Sequence, residues 1–133
     1  MTPADGTAPV ALVVAADDEM RILLRGLLQL HRVRVDGEAT GVTHALRLLA
    51  ERRPTLVVVD SHLEEGSAID LVGRARTTAP GVRVILVYPA SRPPPLLSGG
   101  SAPDVLLLRP FRIQQFADAI APPPAGGPAA PPP

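Results

Sequence analysis

The sequence of residues 55–60 is TLVVVD, a continuous apolar run that ends in one carboxylate. A short apolar run of this kind is typical of a strand that is covered on both faces in a parallel sheet. We therefore predict that Thr55–Asp60 forms the central strand. In open α/β sheets, ligands bind outside the carboxyl ends of the strands. The run thus places Asp60 where such a fold has its functional site.

Apolar runs and helical periodicities alternate on both sides of this strand. Apolar residues repeat at helical spacing within Met20–Leu30, Val42–Leu49, Ile69–Ala75 and Ile113–Ile120. Ser67 is placed to cap the third helix. Turns are predicted at Gly37–Thr40 and Pro80–Gly81. The other predicted strands are Val10–Val14, Arg32–Val35, Val82–Tyr88 and Val105–Leu108.

This order predicts an α/β fold with a doubly wound, five-stranded parallel sheet built from five βα units. The pattern has one fault, in residues 91–104, whose sequence is SRPPPLLSGGSAPD. Three consecutive prolines and a Gly–Gly pair allow a turn of helix at most. The fourth helix is therefore predicted to be shortened or missing.

The folded domain is expected to cover residues 9–120. Residues 1–8 are expected to be a flexible lead-in. Residues 121–133 (APPPAGGPAAPPP) are expected to be a disordered Pro-rich tail, because proline lacks the N–H that helices and paired strands need.

Composition excludes several classes of protein. The formal net charge is +0, all 13 basic residues are Arg, and there is no Cys. This balance gives no reason to expect binding to nucleic acid or to an anionic membrane. The absence of Cys excludes disulfides and thiolate metal sites. No targeting or membrane-spanning segment is visible, so a cytoplasmic protein is expected.

Four segments at the predicted carboxyl edge resemble the receiver domain of bacterial response regulators. They are VVAADDEMRILLRGLL (residues 13–28), VVVDSHLEEGSAIDLV (57–72), TAPGVRVILVYP (78–89) and LLLRPF (106–111). The order and spacing of all four segments carry the resemblance, which runs from about Val10 to Ile120. It implies a flavodoxin-like topology and a role in two-component or phosphorelay signal transduction.

The resemblance assigns Asp60 the position of the phosphoacceptor, which a histidine kinase phosphorylates. The other positions of the family pocket are altered in this chain. The acidic pair that holds Mg²⁺ is replaced by Ala15 and Ala16, and the Thr or Ser that bonds the phosphoryl group is replaced by Tyr88. The Lys is replaced by Arg109, and the aromatic switch residue by Leu106. The resemblance further implies that the Arg109–Pro110 bond is cis.

These replacements predict a degraded metal site. Mg²⁺ needs carboxylate ligands, and only Asp60 and a loop carbonyl near His62 would remain. We therefore expect no cofactor. Asp17 is expected to be an N-cap residue; the less favoured alternative is that a shifted loop brings Asp17 and Asp60 to Mg²⁺. Arg109 has a planar fork that suits a bidentate carboxylate pair, so it is expected to pair directly with Asp60.

The expected function is that of a stand-alone atypical receiver that acts by protein–protein interaction. Its partner would be a histidine kinase or an output protein, and the chain would be a monomer or a weak dimer. The alternative is a working phosphoacceptor, a relay or phosphate sink, phosphorylated on Asp60. An enzyme is not expected, because the phosphate-binding loops and the nucleophile elbow are absent from the sequence.

Overall fold

The fold is described from a computed structural model, which describes residues 9–92, 94 and 102–121. Five parallel strands form one sheet in the order β2-β1-β3-β4-β5. The elements in chain order are β1 (Val10–Val14), α1 (Asp18–Leu30), β2 (Arg34–Ala39), α2 (Val42–Arg52), β3 (Leu56–Asp60), α3 (Ala68–Thr78), β4 (Arg83–Pro89), β5 (Val105–Arg109) and α4 (Ile113–Ile120).

Two apolar cores lie on opposite faces of the sheet. On one face, α2 and α3 pack over the strands through residues such as Leu49 and Leu71. On the other face, α1 and α4 pack through Leu24, Leu28 and Phe116. The predicted doubly wound α/β fold is therefore confirmed. The strand β3 lies at the centre of the sheet and is buried along its whole length, as its sequence predicts.

The prediction of a turn at Gly37–Thr40 is wrong. The strand β2 continues to Ala39, and Leu12, Val13 and Val14 of β1 pair with residues 37–39. A Cβ atom on Gly37 would come 3.2 Å from Leu48 Cδ1. Glycine is used here because α2 packs closely on the strand, and not because the chain turns.

The loop after β3 closes the amino end of α2. Gly41, the N-cap residue, has no side chain to offer, and Glu65 Oε1 accepts a hydrogen bond from the Thr43 N–H at 2.6 Å. Gly66 has φ +81°, and a Cβ atom there would lie 2.4 Å from Val42 Cγ2. Ser67 caps α3 as predicted, because its Oγ accepts a hydrogen bond from the Asp70 N–H.

Three predictions fall on residues outside the described part of the chain. The lead-in at residues 1–8 and the tail at residues 122–133 lie there, as do residue 93 and residues 95–101 of the β4–β5 connection. The described residues of that connection contain no helix. Leu106 and Leu108 of the edge strand β5 are exposed on the face that carries α2 and α3.

No helix within residues 9–92 and 102–121 combines the length and the apolar character needed to cross a bilayer.

Candidate functional site

A cavity of about 430 Å³ opens at the carboxyl edge of the sheet, between the ends of β1, β3 and β5. Parallel strands bring the loops that follow them to this edge, so residues distant in sequence meet there. The cavity contains four residues named from the sequence, namely Ala16, Asp17, Asp60 and Arg109. Its full lining is Ala16, Asp17, Met20, Asp60, His62, Glu64 and Arg109.

Asp60 is the buried charged residue of the described structure, with 2% of its surface exposed. Burial at the end of the central strand raises the pKa of its carboxyl group above the ordinary value of 3.8. Two effects act against burial and lower the pKa of Asp60. They are the hydrogen bond from the His62 N–H to Asp60 Oδ2 at 3.2 Å and the charge of Arg109. Burial is the largest of these effects, so the ionised form of Asp60 is energetically costly in the folded protein.

Arg109 is the cation that faces Asp60. Its Nε atom lies 3.5 Å from Asp60 Oδ1, and its side chain is 31% exposed. The predicted direct pairing is present, but the expected bidentate geometry is wrong. The contact is between Nε and Oδ1, and among the described residues neither of these atoms has a hydrogen-bond partner.

The Arg109–Pro110 peptide bond is cis, as the resemblance implies. Pro110 does not line the cavity with Asp60. It lies in a neighbouring apolar cleft of about 580 Å³, which Arg109 also borders, between α1 and the start of α4.

The two alanines at the end of β1 are held by backbone hydrogen bonds. The Ala15 N–H donates to the Ala39 carbonyl, and the Ala16 N–H donates to the His62 carbonyl, both at 3.0 Å. Ala15 is buried, whereas Ala16 lies on the cavity wall. Ala16 thus lines the cavity that holds Asp60, whereas Ala15 does not.

Arg21 fixes the same loop from the other side, a role that the sequence analysis missed. Its Nη1 atom donates to the carbonyl oxygens of Ala15 at 2.9 Å and Ala16 at 3.1 Å. The guanidinium also pairs with Asp18 and contacts Glu38 Oε1 at 3.6 Å. The sequence offers one hint, a basic residue one turn after the acidic start of α1, but the carbonyl contacts depend on the tertiary fold.

The residues present do not fit Mg²⁺. The ion prefers near-octahedral oxygen ligands that include one or two carboxylates. Residues 9–92, 94 and 102–121 hold no group of three or more His, Cys, Asp or Glu side chains suited to a metal ion. The His62 carbonyl already accepts the Ala16 N–H, and the cation beside Asp60 is Arg109.

Asp17 occupies the N-cap position of α1, as predicted, but its side chain accepts no capping hydrogen bond. It lies instead on the wall of the cavity that also holds Asp60. The cavity lining thus includes three carboxylates, Asp17, Asp60 and Glu64, but they do not form a group that could hold a metal ion.

Tyr88 and Leu106 lie away from the cavity lining. Tyr88 packs, partly buried, against the core under α2 and α3. Leu106 is 43% exposed on β5.

Solved structures with the same fold are receiver domains. The signal receiver domain of an HD domain-containing protein from Pseudomonas fluorescens Pf-5 is 25% identical with a TM-score of 0.71, over 84% of this chain and 90% of that one. The chain has the receiver-domain fold. A CheY-like receiver domain from Methanospirillum hungatei JF-1 matches at 16% identity and TM-score 0.72, over 86% of this chain and 91% of that one. A CheY-like receiver domain from Methylobacillus flagellatus matches at 20% identity and TM-score 0.71, over 84% of this chain and 95% of that one.

No protein-family model and no curated protein matches the sequence. The likeness to receiver domains is therefore carried by the fold.

Proposed function

We propose that the chain is an atypical receiver domain that acts by contact with a partner protein, with Asp60 at the phosphoacceptor position and a degraded metal site. The receiver-domain fold supports a role in two-component signalling. The finer proposal rests on one observation: the cavity wall opposite Asp60 carries the methyl group of Ala16, and Arg109 lies 3.5 Å from the Asp60 carboxylate.

Phosphoryl transfer explains why this observation matters. The protein contributes little covalent chemistry to such a reaction, so the rate depends on positioning and on neutralisation of the phosphoryl charge by metal ions and cations. In this cavity, Arg109 is the cation on the wall. One partly exposed guanidinium does not replace a divalent ion that bridges donor and acceptor oxygens. Phosphorylation of Asp60 should therefore be very slow, and the state of the domain should be set by the Asp60–Arg109 pair.

The partner would be a histidine kinase or an output protein of the same signalling class, and the proposal includes no enzymatic activity and places the chain in the cytoplasm. The altered β4–β5 connection supports a role for the surface. Leu106 and Leu108 are exposed on β5, the edge strand next to that connection. In the family, the face formed by the fourth helix, the fifth strand and the last helix contacts partners. A partner selected for this chain would contact these two leucines.

A titration with Mg²⁺ tests the proposal. Isothermal calorimetry of the wild-type chain should show no binding in the millimolar range. Ala16→Asp is the matched variant, because it adds a carboxylate to a wall that already carries Asp17, Asp60 and Glu64, and it should gain binding. Millimolar or tighter binding to the wild type would contradict the proposal.

One observation favours a second function, a working phosphoacceptor in a relay or a phosphate sink. Asp60 Oδ1 accepts no hydrogen bond from any described residue, and the carboxyl group borders a cavity of about 430 Å³ that holds Arg109. A free carboxylate oxygen beside a cation is a nucleophile with one of the charges that the reaction needs. The two functions differ in one result, the covalent labelling of Asp60 by a small phosphodonor.

A further inference from the structure

The outer face of α1 carries an apolar stripe that no described element covers. Ile22 is 58% exposed and Leu30 is 64% exposed, which makes them two of the most exposed large apolar side chains of the described residues. Both belong to a helix whose inner face is already buried through Leu24 and Leu28. The stripe is therefore additional to what α1 needs for packing on its own sheet.

Gly26 lies at the centre of this stripe. Ile22 precedes it by four residues and Leu30 follows it by four, so all three lie along one side of the helix. Glycine is unfavourable in the interior of a helix, and no heavy atom lies within 4 Å of the position that a Cβ atom on Gly26 would take. Nothing in the described part of the chain requires a glycine there. A second backbone that approaches α1 closely would require one.

The pattern is complementary to its own reverse. When two copies of α1 pack antiparallel about a twofold axis through Gly26, each residue n positions before Gly26 meets the residue n positions after it in the second copy. Ile22 of one copy then meets Leu30 of the other, twice. Gly26 is the one residue of the helix that meets itself, which is the place where a side chain would hold the two backbones apart.

Charge supports the same orientation. The first turn of α1 carries Asp18 and Glu19, both exposed, and the chain just after the helix carries Arg32 and Arg34, also exposed. In the antiparallel pair, the acidic first turn of each helix lies beside the segment that follows the other helix and carries Arg32 and Arg34. The two helix dipoles are also opposed, which is favourable.

We propose that the outer face of α1 is a docking surface for a second copy of this chain, packed antiparallel about Gly26. The contact extends over about three turns of each helix. It therefore buries less surface than the roughly 800 Å² per partner of a standard interface. The dimer is therefore weak, with a dissociation constant on the order of 100 μM. This surface is separate from the cavity of Asp60, and the proposal does not depend on the function of that cavity.

Sedimentation equilibrium of the full chain, from about 10 μM to about 1 mM, tests the proposal. The wild type should dimerise reversibly. Gly26→Gln should raise the dissociation constant at least about tenfold. It should not disturb the monomer, because the position is open and glutamine favours helix. Ala50→Gln, on the exposed side of α2, is the matched control and should dimerise as the wild type does.

Cysteine cross-linking checks the register. The chain has no Cys, so a single introduced residue is the only thiol. When Ile22→Cys and Leu30→Cys chains are mixed and oxidised, they should form a disulfide-linked heterodimer, whereas neither should do so when it is mixed with Ala50→Cys. A wild type that stays monomeric, a dimer that Gly26→Gln leaves unchanged, or equal cross-linking of the Ile22→Cys/Leu30→Cys mixture and of the mixtures with Ala50→Cys would each overturn the proposal. A dimer that Gly26→Gln leaves unchanged would form through another face. A monomeric wild type would mean that the stripe contacts a different protein.

Discussion

The contact between Asp60 and Arg109 should stabilise the fold by a measurable coupling energy. The relevant variants are Asp60→Asn, which keeps the size of the side chain and can still accept the His62 N–H, and Arg109→Gln, which keeps much of the aliphatic stem. Measured alone and together, they form a double-mutant cycle that isolates the pairwise interaction from the separate effects of each substitution.

The structure sets the expected magnitude. At the Nε–Oδ1 distance of 3.5 Å, two unit charges interact by about 5 kcal/mol in a medium of dielectric constant near 20. Two features reduce this value: Arg109 is 31% exposed, so water screens it, and the contact makes no hydrogen bond. We therefore expect a coupling energy of about 1 to 2 kcal/mol at pH 7.

The single substitutions should have opposite signs. Arg109→Gln should destabilise the fold, because the buried carboxylate remains without its cation. Asp60→Asn should be neutral or stabilise it by about 1 kcal/mol, because it removes a costly buried charge. In the Asp60→Asn background, Arg109→Gln should cost less than about 0.5 kcal/mol.

Urea denaturation followed by circular dichroism supplies the four free energies of unfolding. A coupling energy below about 0.3 kcal/mol lies within the additivity expected of independent sites. That result would refute the account of Asp60 as one half of an ion pair.

Three further predictions concern pH and local packing. Because the pKa of Asp60 is raised above 3.8, the folded state holds the carboxyl proton more tightly than the unfolded state does. The stability of the wild type relative to Asp60→Asn should therefore be highest below pH 3.8 and should fall as the pH rises through the raised pKa. Urea denaturation of both proteins at several pH values would measure this difference. Ser67→Ala should lower the free energy of unfolding by about 1 kcal/mol, since it removes the cap of α3; an unchanged value would mean that the cap is not formed in solution. Gly66→Ala should cost more than about 1 kcal/mol, because the residue has φ +81° and its Cβ would lie 2.4 Å from Val42 Cγ2, whereas Gly26→Ala should stabilise the monomer; equal thermal shifts would contradict this difference.

The sequence predicts the sheet well because the strands are continuous apolar runs. Residues 56–60 can only be buried on both faces, and this determines the centre of the sheet and hence the edge where Asp60 lies. The end of β2 is less predictable. Glycine is typical of turns, so Gly37 favours the prediction of a turn. Only the close approach of Leu48 explains why the strand has a glycine there.

The candidate site is predicted in part for a similar reason. Strand ends meet at one edge, so the grouping of Ala16, Asp60 and Arg109 follows from topology. The hydrogen bonds of Arg21 to the carbonyls of Ala15 and Ala16 do not follow from it, because they depend on how a long side chain folds back over its own loop. The approach of Arg109 through Nε does not follow from the topology either.

Covalent labelling of Asp60 tests the central claim most directly. The wild-type chain is incubated with a small phosphodonor such as acetyl phosphate and with excess Mg²⁺, and its intact mass is measured, with Asp60→Asn as the matched control. The account predicts the same mass before and after incubation for both proteins. A mass increase of one phosphoryl group in the wild type that is absent from Asp60→Asn would contradict it, and would show that Asp60 and Arg109 accept a phosphoryl group without the acidic pair.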